Sequence, residues 1–165
     1  MAIFKPDDYL SSVACIDPAA LTRQGFTVVL LDIDNTLVPR DTHRLSAEVT
    51  QWVADLKQQG LRPCLLSNNW HRAVFAYADA LDIPLVYKAM KPLPFAYSRA
   101  LHKAGWKRGE KVVAIGDQIM TDILGAHLRG YHAILVLPQT TKDLWYTHLF
   151  RRLERFFLRG LQPRD

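Results

Sequence analysis

Residues 27–38 read Thr-Val-Val-Leu-Leu-Asp-Ile-Asp-Asn-Thr-Leu-Val, and the fold class follows from where this stretch changes character. Residues 27–31 form a continuous apolar run rich in β-branched side chains. That is the pattern of a strand buried on both faces of a parallel sheet. The run ends on two carboxylates, Asp32 and Asp34. Two positions apart, they point the same way if strand geometry persists through them. Side by side they repel each other unless a cation is near. A hard divalent ion with oxygen ligands resolves the conflict, and magnesium also neutralises a phosphate. The competing reading is a pair of turn aspartates capping a helix.

Outward from this strand, helix and strand signals alternate with short connections. Asp17 and Pro18 open a short helix stopped by Gly25, with the acceptor at the N-cap and proline at the first helical position. Ser46 can cap a helix that places Val49, Trp52, Val53 and Leu56 on one face and stops at Gly60. Strands are expected at residues 64–66, 85–87, 112–115 and 133–137. Helices are expected at about 72–81, 94–104 and 121–129, with a last one at about 142–159. This alternation predicts a single α/β domain over residues 1–165, three-layered and Rossmann-like, with a mostly parallel central sheet. In such sheets ligands sit beyond the carboxyl ends of the strands.

Those strand ends carry the polar residues. Ser67-Asn68-Asn69 follows the second strand of this series; a hydroxyl and backbone amides there can hold phosphate oxygens, although the same residues make ordinary loops. Lys88 and Lys91 follow the third, where a lysine can neutralise charge on a transferring phosphoryl group. Gly116-Asp117 and Asp122 follow the fourth; they can ligate a metal or orient its ligands, and Thr121 or Asp122 can equally be a helix cap. Four polar clusters after four successive apolar strands together supply the parts of one phosphoryl-transfer site.

In this order the segments resemble the phosphatase branch of the haloacid dehalogenase superfamily. The matching motifs are Asp32 to Thr36, Ser67, Lys91, and Gly116 with Asp117 and Asp122. Lys5-Pro6-Asp7, Asp32 to Val38, Ser67-Asn68-Asn69 and Gly116 to Asp122 are similar to the YqeG-like group, which is related to the mitochondrial phosphatidylglycerophosphate phosphatases. The resemblance implies a fold without a cap domain and a magnesium-dependent mechanism. Asp32 is then the nucleophile and forms an aspartyl-phosphate, and Asp34 is the general acid and base. Asp32, the backbone carbonyl of Asp34 and Asp117 hold the metal. Ser67 and Lys91 bind the phosphate, and Asp122 orients Lys91 or a metal-bound water. Thr36 and Asn68 are phosphate contacts or support. The Lys-Pro pair favours Lys91 over Lys88 for the lysine role. The substrate implied is phosphatidylglycerophosphate, with a soluble sugar phosphate or a phosphoprotein as alternatives.

Spacing bears on the substrate. Residues 35–66 separate Asp34 from Ser67, and 68–90 separate Ser67 from Lys91; helices and strands fill both gaps and leave no room for a lid. An open site admits a bulky substrate or borrows its lid from a partner subunit. In the last expected helix, Trp145, Tyr146, Leu149, Phe150, Leu153, Phe156 and Phe157 share one arc, and His148, Arg151, Arg152, Arg155 and Arg159 cluster elsewhere. Such a helix either docks on the sheet with its arginines in water or lies on an anionic bilayer.

Composition sets the outer bounds. The 165 residues are 49% hydrophobic and 22% charged, a globular mix. No run approaches the roughly 18 apolar residues of a bilayer span. The first eight residues turn acidic too soon for a secretory signal. A cytoplasmic protein, at most peripheral on the inner membrane face, is expected. The net charge of +5 suits an anionic partner; no nucleic-acid partner is expected. Cys15 and Cys64 have no zinc or disulfide spacing, and the six histidines have no metal-ligand spacing. A rival class is a phospho-acceptor switch domain. Its acceptor normally follows an inner strand rather than the first, and it needs no acid at Asp34. A non-catalytic basic module leaves the four polar clusters unexplained.

Overall fold

The computed structural model describes residues 2–140, 157 and 161–165. Six strands form one sheet in the order β1-β6-β5-β2-β3-β4, and every neighbouring pair is parallel. The strands are β1 Asp8–Leu10, β2 Phe26–Leu31, β3 Arg62–Leu66, β4 Leu85–Val86, β5 Lys111–Gly116 and β6 His132–Val136. The helices are α1 Pro18–Arg23, α2 Ala47–Gln58, α3 Ala73–Leu81, α4 Pro94–Lys103 and α5 Leu124–His127.

The apolar run that opened the argument becomes β2, in the interior of the sheet. Its side chains alternate between two cores, as strand geometry requires. Val29 and Leu31 join the α2–α3 side, where Val49, Trp52, Val53 and Leu56 pack. Val28 and Leu30 join the α4 side with Ala96, Tyr97 and Ala100. Both faces are therefore covered, which is why Val28 to Leu31 are all apolar; Thr27, half-buried near the start of β2, donates its hydroxyl to the Lys111 carbonyl at 3.3 Å. α2 begins where Ser46 accepts a hydrogen bond from the Val49 amide, and its Trp52 indole donates to the Ile16 carbonyl at 2.8 Å. The expected layering and the parallel sheet are both present, and no inserted domain lies between Asp34 and Ser67 or between Ser67 and Lys91.

Three features differ from expectation. The strand β1 was not anticipated: it is three residues long and half-buried, too short for an alternation pattern to show. It pairs with β6 at the sheet edge, and distant side chains hold it there. His127 bonds Asp7 at 3.0 Å and His132 bonds Asp8 at 2.9 Å, while Asp7 also accepts from the Ala133 amide. Two histidines without an assigned role thus serve the fold. Because β1 comes first and β2 is interior, the strand-position argument against a phospho-acceptor domain fails; Asp34 remains the discriminating residue. The helix expected over 121–129 is instead a π-helical turn, Ile119–Ile123, leading into α5. Strand β4 is also one residue shorter than expected. The helix expected over 142–159 lies outside the described residues apart from Phe157, whose ring stacks on Phe4 with centroids 4.7 Å apart.

Candidate active site

Three parallel strands, β2, β3 and β5, end at the same sheet edge in register: Leu31 lies beside both Leu65 and Ile115. Every residue just beyond them is thereby brought to one place. Asp32 continues the pairing, its amide donating to the Ile115 carbonyl at 3.0 Å. The chain then turns back tightly. Asn35 takes up a positive φ of 64°, which its short polar side chain tolerates, and its amide donates to the Val38 carbonyl. The Asn35 carboxamide oxygen accepts from the Arg40 amide and the Thr140 hydroxyl, so the loop is pinned at both ends.

Asp32 is fixed from two sides. One carboxylate oxygen receives the Lys91 ammonium at 2.6 Å and the other receives the Thr36 hydroxyl at 3.0 Å. Lys91 gives a second 2.6 Å bond to Asp122. All three charged groups are buried. Burial alone pushes the lysine's proton affinity down, but the carboxylates of Asp122 and Asp32 outweigh it and hold Lys91 charged. The backbone of Lys91 is clamped as well: its amide donates to the Asn68 side chain at 2.7 Å, and Asn68 donates back to its carbonyl at 3.1 Å. Thr36 and Asn68 are thus engaged in support, on Asp32 and Lys91 respectively. Lys88 points elsewhere, over the Trp70 ring.

Asp34 is held apart from this ion-pair cluster. Its two oxygens accept from the Asn69 amide nitrogen at 3.1 and 3.2 Å. Burial and the charge of Asp32 raise its pKa above the ordinary carboxylate value, only partly offset by Asn69. A carboxyl that keeps its proton longer suits a general acid. Asn69 is the contact that sequence reasoning missed. It stood in the quoted Ser67-Asn68-Asn69 string, but nothing local marks which of two asparagines reaches Asp34. Ser67 is fully buried; its oxygen accepts from the Asn69 amide at 3.0 Å, which leaves its own proton to donate.

Asp117 is the electrostatic anomaly. It is buried, and one of its oxygens has no hydrogen-bond partner. Burial, then Asp32 and Asp122, raise its pKa well above the usual value. Carboxylate oxygens of Asp32, Asp117 and Asp122 all lie within 4.8 Å of one another. An orphaned buried oxygen among three carboxylates and one lysine fits a hard divalent cation, which these all-oxygen donors suit. Since protons and the cation compete for Asp117, metal affinity is expected to rise with pH.

Asp122 owes its position to the π-helical turn and to Gly116. The Asp122 and Ile123 amides both point at the Gln118 carbonyl, and the second Asp122 oxygen accepts from the Gln118 amide at 3.2 Å. A Cβ on Gly116 would lie 2.3 Å from the Asp122 carboxyl carbon. Gly116→Ala is therefore expected to displace Asp122 and, through it, Lys91. Activity should fall about 10²-fold, the scale of an ångström-sized misplacement, with a stability loss of about 1–3 kcal/mol. Steady-state rates beside thermal melts check this; an unchanged rate would show that Asp122 does not set the position of Lys91.

A family model described as haloacid dehalogenase-like hydrolase matches residues 16–128. "Probable phosphatase YqeG" of Bacillus subtilis (strain 168) is 36% identical over 159 residues, spanning 96% of this chain and 92% of its own length. The fold is similar to that of the cobalt-bound deoxy-D-mannose-octulosonate 8-phosphate phosphatase of Haemophilus influenzae, at a TM-score of 0.54 and 12% identity over 87% of this chain and 91% of that one. It is also similar to a HAD phosphatase of Thermococcus onnurineus, at a TM-score of 0.50 and 14% identity over 73% of this chain and 90% of that one.

Proposed function

The chain belongs to the haloacid dehalogenase-like hydrolase family and is a phosphatase, and from that premise we propose a magnesium-dependent phosphomonoesterase whose nucleophile is Asp32. The observation that carries the reading is the division of labour between two carboxylates two positions apart. Asp32 is held by the Lys91 ammonium and the Thr36 hydroxyl, whereas Asp34 is raised in pKa and held separately by Asn69. A phospho-acceptor switch has no use for that second arrangement.

In the proposed reaction a carboxylate oxygen of Asp32 attacks phosphorus in line as the ester P–O bond breaks. Asp34 gives its proton to the departing oxygen, so the leaving group departs as an alcohol. Asp34, now a carboxylate, then takes a proton from water, which attacks the phosphorus of the aspartyl-phosphate. Inorganic phosphate leaves and Asp32 is restored. Ser67 and Lys91 supply hydrogen bonds and charge to the equatorial oxygens, while Asp122 and Asn68 hold Lys91 in line. Asp32, Asp117 and the main-chain carbonyl of Asp34 would hold magnesium, whose charge lets an anionic nucleophile meet an anionic phosphate.

The substrate we assign is the terminal phosphate of phosphatidylglycerophosphate, yielding phosphatidylglycerol. Its supports are the resemblance of the four motifs to that enzyme group and the open mouth, where no inserted domain restricts the leaving group. Among the described residues no helix is long and apolar enough to cross a membrane.

Two measurements test the reading. Chelation is expected to abolish turnover and added magnesium to restore it; activity that survives complete chelation would refute the metal assignment. Asp34→Asn is expected to lower kcat about 10²- to 10⁴-fold for alkyl phosphates, and far less for an aryl phosphate whose leaving group needs no proton. The wild-type rate should fall as pH rises through the raised pKa of Asp34, and the variant should lack that descent. Equal losses across leaving groups would remove Asp34 from the acid role.

A further inference from the structure

Most of the exposed large apolar side chains among the described residues gather beside the mouth of the site. Trp70 is 66% exposed, Met90 52%, Phe95 46%, Leu93 43% and Phe75 39%. Trp70 follows the Ser67-Asn68-Asn69 segment, and Met90 and Leu93 enclose Lys91-Pro92 in the chain, next to the residues that bind phosphate in the proposed mechanism. Ring and ammonium contacts join several of its parts. The Lys88 ammonium lies 4.7 Å over the Trp70 ring and 5.6 Å from that of Tyr87, which is 4.8 Å from Phe75. The Leu93 amide donates to the Met90 carbonyl, and the Lys88 amide points to the Asn69 carbonyl.

The chain segments that carry Trp70, Met90, Leu93 and Phe95 are basic. No Asp or Glu occurs at residues 56–78 or 83–109, and Arg72, Lys88 and Lys91 lie closest in sequence to these apolar side chains. A contiguous exposed apolar patch marks an interaction surface. A soluble anionic metabolite would use the cations and leave the Trp, Met, Leu and Phe side chains in water. A partner that is apolar and anionic at once uses both. Trp inserts its ring at a headgroup boundary, and lysine keeps its charge at the phosphates above.

We propose that the rim formed by Trp70, Lys88, Met90, Leu93 and Phe95 docks this protein on an anionic phospholipid surface, with the open site facing the headgroups. The inference rests on the phosphatase reading of the adjoining site for its purpose, but the binding itself needs no catalysis. It places a membrane contact at the β3–β4 end of the sheet, independently of the helix expected over 142–159.

The test is co-sedimentation of the full chain with vesicles of phosphatidylglycerol and phosphatidylcholine, against phosphatidylcholine alone. The protein is expected to bind the anionic vesicles and to be released by salt. Trp70→Ser with Phe95→Ser should weaken partitioning at least about tenfold, while the melting temperature and hydrolysis of p-nitrophenyl phosphate stay at wild-type values. As a milder probe, Trp70→Phe should lose a share of the tryptophan quenching that brominated phosphatidylglycerol produces. The inference is overturned if the wild type ignores anionic vesicles, if both variants behave as wild type, or if sedimentation equilibrium finds a dimer that the same substitutions dissolve. Rim-dependent vesicle binding without hydrolysis of detergent-dispersed phosphatidylglycerophosphate would sink the substrate assignment alone. Hydrolysis in detergent without rim-dependent binding would sink the docking surface alone.

Discussion

Asp32→Asn is expected to lower turnover by about 10⁴-fold or more, because no other side chain can take its place in the attack, and to leave the metal-free fold as stable as before or slightly more so. The second half of that expectation comes from the charge count. Asp32, Asp117 and Asp122 share one cluster, in which Lys91 pairs with Asp32 and Asp122. Their mutual repulsion is part of what raises Asp117 and Asp122. Removing one carboxylate relieves that repulsion, while the asparagine oxygen can still accept from Lys91 and Thr36. Single-turnover kinetics and calorimetry on metal-free protein measure the two effects. A variant that is inactive because it melts far below the wild type would leave the nucleophile unassigned.

Lys91→Met should do the opposite to stability. It strands Asp32 and Asp122 in a buried pocket without their cation, a change that costs about 3–5 kcal/mol and, for a chain of this size, lowers the melting temperature by about 10 °C. Catalysis should fall as well, since the phosphate loses its fixed positive charge. The penalty should depend on pH in a definite direction. Burial and Asp32 already push Asp122 up to about 6 with Lys91 present, and losing the lysine raises it further. A carboxyl whose folded-state pKa is raised favours the fold when protonated. The variant therefore regains stability as pH falls through that raised value toward the ordinary 3.8. The gap between variant and wild type should be wider at pH 8 than at pH 5 in denaturant titrations without metal. A gap that is constant with pH would mean that the lysine acts through packing rather than charge.

Much of this was legible because the chemistry sits where strand patterns stop. The run of residues 27–31, four aliphatic side chains behind a β-branched threonine, suits a strand covered on both faces, and Asp32 then falls at the sheet edge by arithmetic. Asp117 follows in the same way from β5, whereas β4 ends five residues before Lys91 and only the Lys-Pro pair of the motif separates Lys91 from Lys88. Contacts between segments were harder to read. Asn69 meets Asp34 only because β3 lies beside β2 with Leu65 level with Leu31, a register that no local pattern encodes. β1 is set by side chains more than a hundred residues away, and its own three residues carry too little alternation to announce it. Residues 121–129 looked like one ordinary helix because Thr and Asp near a helix start read as caps; the spacing that distinguishes the π-turn at Ile119–Ile123 is a property of backbone bonds.

That widened turn has an evolutionary and engineering corollary. Regular helix advances 100° per residue, so shortening the 119–121 stretch by one residue would restore standard winding and swing the Asp122 carboxylate about a quarter-turn or more off Lys91. Tyr97, whose hydroxyl donates to the Thr121 carbonyl at 2.9 Å, holds the irregular form in place across the space that Gly125 leaves open. A deletion that regularised the winding would therefore part a buried carboxylate from its ammonium, and would dismantle the catalytic centre without touching any residue that meets the substrate.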